Sequence, residues 1–352
     1  MKMKNTMQAA VLHAPADLRF ERVPIPQINE NDVLVRVKAA GICGSDLGRI
    51  MHTGTYHFPT IPGHEFCGTI DQLGSSVEGL SIGDRVLVVP ILPCFKCTHC
   101  QSGHYGQCEN YNYLGSRTDG GFAEYVKAPV QNIIPLPEGI SFEEGAAVEP
   151  AAVTLHGMRR IKINPGDSVC ILGCGPIGLF AVQFAKIMGA TQIIAVDLDP
   201  ERLSLSKKLG ATDTINAETA SVISSVKQLS SDEGVDVTIE NAGSNITQVQ
   251  AISCTKKHGR ILYLGTAHKD VVIPPEVFEH IVRNEITITG AWNSYSAPFP
   301  GKEWDATLEY LEQKRLDVHS LISHQLPLSD APEIFKTLDA HQLNAIKIVF
   351  QI

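Results

Sequence analysis

Four cysteines, Cys94, Cys97, Cys100 and Cys108, follow one another as C-x2-C-x2-C-x7-C. Thiolates spaced this closely can complete a tetrahedral shell around one ion, and soft sulfur ligands select zinc or an iron–sulfur cluster. The short loops of Pro93-Cys94-Phe95-Lys96-Cys97-Thr98-His99-Cys100 leave the side chains little freedom except to turn inward. The spacing predicts a structural zinc lobe. Disulfides are the other fate of clustered thiols, but the rest of the chain has an intracellular character, where disulfides rarely persist.

A second set is scattered. Cys43 lies in Gly41-Ile42-Cys43-Gly44-Ser45-Asp46, and His64 follows 21 residues later in Gly63-His64-Glu65. Taken singly, a buried Cys and a capping His are the commoner roles. Together they make a ligand pair that lacks a third member, for which Glu149 and Glu65 are the candidates. Three protein ligands and one open position make a catalytic zinc, able to bind and acidify an alcohol.

Gly173-Cys174-Gly175-Pro176-Ile177-Gly178 fits G-x-G-x-x-G. It sits between a predicted strand, Ser168-Val169-Cys170-Ile171-Leu172, and a helix with apolar residues at Ile177, Ala181, Phe184, Ala185 and Met188. In that context the glycines allow a tight turn and close approach of a pyrophosphate to a helix N-terminus. Asp197 comes 19 residues after Gly178, at the end of the next strand, where a carboxylate accepts hydrogen bonds from a ribose 2′-hydroxyl. The same carboxylate would repel the extra phosphate of NADP, so NAD is the expected cofactor. Arg202 stands beside this place, either to pair with Asp197 or to reach the ribose 3′-hydroxyl.

These sites need two kinds of scaffold. Short β-type runs such as 33–37 and 85–89, punctuated by Gly and Pro, predict a compact β module over residues 1–156. From 157 strands alternate with helical segments, the pattern of βαβ units and a doubly wound parallel sheet, here assigned to 157–292. Asp199 caps the second helix, Pro200 takes its first position and Gly210 stops it. Further strands are expected at 235–239, 261–264 and 286–289. The remainder, 293–352, ends in the strand-like run 346–350, which would rejoin the first module. The expected fold class is therefore α/β, with a β-rich domain and a Rossmann-type domain.

With 43% hydrophobic and 19% charged residues and no long apolar run, the chain reads as a soluble enzyme. The segment Met1-Lys2-Met3-Lys4-Asn5-Thr6-Met7 is not followed by the apolar stretch of a signal peptide, so a cytoplasmic location is expected. A formal charge of −9 argues against nucleic acid and anionic membrane as partners, and requires any anionic substrate to find a local basic patch.

In their order along the chain, Gly63-His64-Glu65 with Gly68, Gly83-Asp84-Arg85-Val86, the cysteine lobe, Gly120-Gly121-Phe122-Ala123-Glu124-Tyr125 and the glycine-rich turn resemble the zinc-dependent medium-chain alcohol and polyol dehydrogenases over essentially the whole length. The resemblance implies a GroES-like domain plus a Rossmann domain, two zinc ions per subunit (one catalytic, one structural), NAD, and a dimer or tetramer. It matches Cys43, His64 and Glu149 to the catalytic zinc positions, and Glu65 to a neighbouring or alternate ligand. Glu149-Pro150 is similar to the polyol and threonine dehydrogenase branches. Cys43-Gly44-Ser45-Asp46-Leu47, Leu92-Pro93-Cys94-Phe95, Gly115-Ser116-Arg117-Thr118-Asp119-Gly120-Gly121 and Trp292-Asn293-Ser294-Tyr295-Ser296-Ala297-Pro298 narrow it to a branch that oxidises phosphorylated sugar alcohols.

On that reading Ser45 starts a proton relay or is simply a loop hydroxyl, and Glu65 assists at the metal or orients His64. Arg49, His57 and Arg117 are the cationic candidates for a substrate phosphate, and Trp292, Asn293 and Tyr295 candidates to line the substrate pocket. The competing functions are a dehydrogenase of another polyol and, more distantly, a non-catalytic NAD-binding protein on the same scaffold.

Overall fold

The computed structural model describes residues 5–352, so Met1-Lys2-Met3-Lys4 of the segment weighed against a signal peptide lies outside it. The chain packs into two units. One holds the chain up to Glu149 together with Tyr295–Glu312 and Val318–Ile352; the other holds Pro150–Ser294 and Gln313–Asp317. The seam expected at 156/157 falls inside the helix Val148–Ile161, and the units divide within its first turn.

The first unit is organised by the strand Asp32–Gly41, which pairs along both edges and is buried along most of its length. Glu65–Leu73 runs antiparallel along one edge, while Tyr125–Pro129 and Lys347–Gln351 share the other, pairing with its beginning and its end. The full sheet runs Ile322–Pro327, Lys347–Gln351, Asp32–Gly41, Glu65–Leu73, Arg85–Val88, Ile133–Pro135. Its core is β-branched and aromatic, with Phe122 set edge-on to Phe350 at 5.4 Å between ring centroids. Strand register sets which residues share an end of this sheet: Gly41 is opposite both Glu65 and Val349. The loop carrying Cys43, the start of the Glu65 strand and the last strand of the chain therefore meet there.

The second unit is a six-stranded, all-parallel sheet in the order Asp213–Asn216, Gln192–Asp197, Ser168–Leu172, Val235–Glu240, Thr255–Tyr263, Thr287–Gly290. This is the 3-2-1-4-5-6 arrangement of a dinucleotide-binding sheet, whose strand order reverses beside the first strand. Ser168–Leu172 and Gln192–Asp197 are nearly continuous apolar runs, as burial on both faces demands. Five of the six strands were expected from the sequence; Asp213–Asn216, a polar edge strand with only Ile215 buried, was not. Among the described residues no helix is long and apolar enough to cross a membrane.

Candidate active site

Cys43, His64 and Glu65 each offer a ligand atom, and these atoms all lie within 4.8 Å of one another. Backbone register brings them together. Cys43 caps the one-turn helix Gly44–Gly48, whose third residue, Asp46, folds its carboxylate back to accept from the Cys43 N–H at 3.1 Å. Asp46 is fully buried, and its Oδ1 also lies 3.2 Å from His64 Nδ1 in ion-pair geometry. Burial opposes ionisation of Asp46, but the charges of His64 and Arg49 outweigh it and hold the carboxyl below its usual range. Burial likewise works against a charged His64, yet Asp46 and Cys43 beside it raise the imidazole well above its ordinary value. With Nδ1 facing Asp46, Nε2 is the ring nitrogen left for a metal.

Glu65 is 1% exposed and forms an ion pair with Lys347, which is 2% exposed and also donates to Ile42 O at 3.0 Å. Glu149 is not part of the three-residue group but lies close enough to feel the charges of His64 and Glu65. Its carboxyl is pushed up to about 7, chiefly by burial, while His64 and the Tyr113 hydrogen bond pull the other way. Tyr295 Oη donates to Tyr113 Oη at 3.1 Å, and Tyr113 Oη to Glu149 Oε1 at 3.0 Å. A soft thiolate, an imidazole and two buried carboxylates suit zinc in a site that keeps a position open. Asp46, Lys347 and Tyr113 escaped the sequence reading. Only Asp46 left a local signal, three residues beyond Cys43, where a helix N-terminus invites a capping carboxylate.

The four-cysteine lobe is assembled as its spacing predicts, all four ligand atoms within 4.8 Å of one another and no disulfide formed. Thiolates around zinc at 2.3 Å stand roughly 3.8 Å apart; Cys94 Sγ and Cys100 Sγ are 4.0 Å apart, so one ion fits. A multi-iron cluster would have to spread them further. Backbone N–H groups of Lys96 and Cys97 lower the Cys94 thiol to about 6, whereas burial raises Cys100 to about 12. Such thiols ionise together only when a cation joins them.

In the second unit the turn Gly173–Gly178 leads into the helix Pro176–Ile187. Gly173 has φ +99°, and a Cβ on Gly178 would lie 1.9 Å from Gly173 O, so neither place accepts a side chain. Asp197 accepts from Cys174 N at 2.5 Å and Asp199 N at 2.9 Å, which aims its carboxylate along the mouth of the turn. Gly175 caps the helix and Pro176 and Ile177 form its first positions, leaving backbone donors for a pyrophosphate. Arg202 Nε lies 3.6 Å from Asp199 Oδ2, the residue that caps the same helix three positions earlier.

The residues expected to meet substrate are dispersed in character. Ser45 is exposed; its hydroxyl donates to Cys43 Sγ at 3.2 Å and accepts from Arg49 Nη2 at 2.8 Å. Arg49 also reaches Asp46 Oδ1 at 3.4 Å. His57 contacts Thr60 Oγ1 at 3.1 Å and the Arg117 carbonyl at 3.2 Å. Arg117 lies over the ring of Tyr56. Trp292 is 57% exposed on the second unit, where Asn293 takes a left-handed φ of +59°. Tyr295 is buried in the first unit, stacked on Trp304, and reaches the site through its hydrogen bond to Tyr113.

A parallel sheet with a dinucleotide turn at its reversal point serves hydride chemistry, and a thiolate–imidazole–carboxylate group on a separate β-rich unit serves zinc. A chain carrying both is a zinc-type dehydrogenase, an oxidoreductase acting on CH–OH groups. Residues 29–138 match the alcohol dehydrogenase GroES-like domain and residues 176–312 match the zinc-binding dehydrogenase family. Galactitol 1-phosphate 5-dehydrogenase of Escherichia coli K12 is 38% identical over 320 residues, 91% of this chain and 92% of that protein. The crystal structure of galactitol-1-phosphate dehydrogenase from Escherichia coli superposes with a TM-score of 0.94 at 34% identity, covering 98% of this chain and 100% of the other. Sorbitol dehydrogenase of Bacillus subtilis 168 is 35% identical over 97% of this chain and 96% of its own. A structure described as a zinc-binding dehydrogenase, from Sinorhizobium meliloti 1021 and bound to NADP, gives a TM-score of 0.91 at 30% identity over 99% of this chain and 100% of that one. The chain belongs to the zinc-dependent medium-chain alcohol and polyol dehydrogenase family.

Proposed function

We propose that this enzyme oxidises a sugar-alcohol phosphate with NAD, converting galactitol 1-phosphate to D-tagatose 6-phosphate. The observation that carries the chemistry is the group Cys43, His64 and Glu65 with Glu149 buried beside it; the choice of substrate is supported by the likeness to galactitol 1-phosphate 5-dehydrogenase. Zinc, when bound, acidifies a hydroxyl, and NAD accepts the hydride. The chain supplies the rest. Cys43 and His64 hold the ion with Glu149 or Glu65 as third ligand, Asp46 fixes the His64 ring, and Tyr113 fixes Glu149. Ser45 Oγ, exposed and bonded to Cys43 Sγ, is placed to pass the hydroxyl proton outward. The second reading, a dehydrogenase of an unphosphorylated polyol, is favoured by the sorbitol dehydrogenase relative.

Steady-state rates on galactitol 1-phosphate and galactitol decide between them. The proposal expects kcat/KM at least about 100-fold higher for the phosphorylated substrate; an equal or higher value for galactitol rejects it.

For the cofactor, kcat/KM with NAD is expected to exceed that with NADP by roughly 50-fold or more, since a 2′-phosphate would meet the Asp197 carboxylate. Asp197→Ala should narrow that ratio mainly by weakening NAD. A native preference for NADP would refute the assignment.

The cysteine lobe is proposed to hold a structural zinc. Cys94→Ala should remove one ion per chain and lower the melting temperature by about 10 °C. A variant that keeps full metal content would speak against the lobe as a metal site.

A further inference from the structure

Of the three cations that could receive a phosphate, two already have polar side-chain or backbone partners. Arg49 spends a guanidinium nitrogen on Ser45 Oγ and Asp46 Oδ1. His57 has both ring nitrogens engaged, Nδ1 with Thr60 Oγ1 and Nε2 with the carbonyl of Arg117, so it pins a backbone and does not face a ligand.

Arg117 is different. Its guanidinium carbon sits 3.8 Å from the ring centroid of Tyr56 and 5.2 Å from that of Tyr111. Among the described residues no carboxylate pairs with it and no acceptor takes its N–H groups. Aromatic faces hold a guanidinium in place without neutralising it, and they leave its in-plane donors free. A planar fork of unspent donors is the geometry that grips two oxygens of a phosphate at once.

The segment carrying Arg117 is fastened to the strand approach of His64. Arg117 N and Thr118 N both donate to Tyr113 O, at 2.9 and 3.2 Å. Gly120 N donates to Ile61 O at 2.8 Å and Gly121 N to Gly63 O at 2.7 Å, while Asp119 Oδ1 accepts from Ile61 N at 2.9 Å. Packing is so close that a Cβ on Gly115 or Gly120 would lie 2.2 or 2.1 Å from Gly63 O. From Arg117 a run of rings leads to the metal group: Tyr111 stacks on Tyr113 at 5.7 Å, and Tyr113 stands edge-on to His64 at 5.7 Å. The backbone that carries Arg117 is thus tied to the segment that leads into His64.

We infer that Arg117, clamped between Tyr56 and Tyr111, is the specificity-determining residue that receives the phosphate monoester of the substrate, an inference that rests on the phosphorylated-polyol reading above. The free dianion of inorganic phosphate offers the same chemistry and should compete for the place.

The test compares wild type, Arg117→Met and Arg117→Gln on galactitol 1-phosphate and galactitol. The ratio of the two kcat/KM values is expected to fall by about 50-fold in either variant, carried by KM for the phosphorylated substrate. Arg117→Lys should recover part of it. Tyr56→Leu, at a residue 68% exposed, should cost several-fold on the same ratio. Inorganic phosphate should inhibit wild-type turnover of galactitol 1-phosphate competitively, and inhibit the Met variant much less. Either uncharged variant keeping the wild-type ratio overturns the inference while leaving the substrate reading intact. A wild-type enzyme with no preference for the phosphorylated polyol brings down the substrate reading, and the inference with it.

Discussion

Cys43→Ala is expected to lower kcat on the order of 10⁴-fold at saturating zinc while the protein stays folded. The size follows from what the thiolate does: with Cys43 gone, one imidazole and a carboxylate remain, too few to hold an ion with an open position against water. Stability should hardly change. Cys43 is half-buried at the cap of a five-residue helix, its thiol receives one hydrogen bond from an exposed serine, and its backbone N–H keeps the Asp46 acceptor whatever the side chain. Zinc content per chain and the urea midpoint, read on the same preparation, check both halves. A variant with full turnover contradicts the proposed chemistry, and one that fails to fold shows that the residue belongs to the scaffold.

The contrast between Cys43 and Lys347 shows what a single sequence can and cannot convey. Local spacing carried the cysteine lobe, the glycine-rich turn with its aspartate, and the Asp199-Pro200 start and Gly210 stop of the second Rossmann helix, where Gly210 takes φ +129°. Each is decided by neighbours within a few tens of residues. The return of the last strand to the first sheet was also expected, and Lys347–Gln351 does pair with Asp32–Gly41. What that strand brings to the site was not visible. Lys347 meets Glu65 across 282 residues, and Tyr295 meets Tyr113 across 182, so neither pair leaves a period or a motif behind. In isolation a lysine amid Ile346, Ile348 and Val349 reads as the solvent face of an edge strand, until both sides of the strand are found occupied.

Lys347→Met is accordingly the most damaging change expected outside the metal ligands. The ammonium and the Glu65 carboxylate are both almost wholly buried, and removing one partner leaves the other charged without compensation, a loss of about 3–5 kcal/mol. The urea midpoint of metal-free protein should fall accordingly, and Lys347→Met/Glu65→Gln should recover most of the loss because the stranded charge is gone. A Lys347→Met protein as stable as wild type would mean the pair contributes nothing to the fold. The same variant separates the two candidates for the third metal ligand. Lys347 engages Glu65 Oε2 and Tyr113 engages Glu149 Oε1, so each carboxylate keeps one oxygen for an ion. If Glu65 is the ligand, releasing it from the ammonium should tighten zinc binding and let the metal restore part of the lost stability. If Glu149 is, zinc affinity should barely move and Glu149→Gln should be the change that weakens it, by roughly 10- to 100-fold.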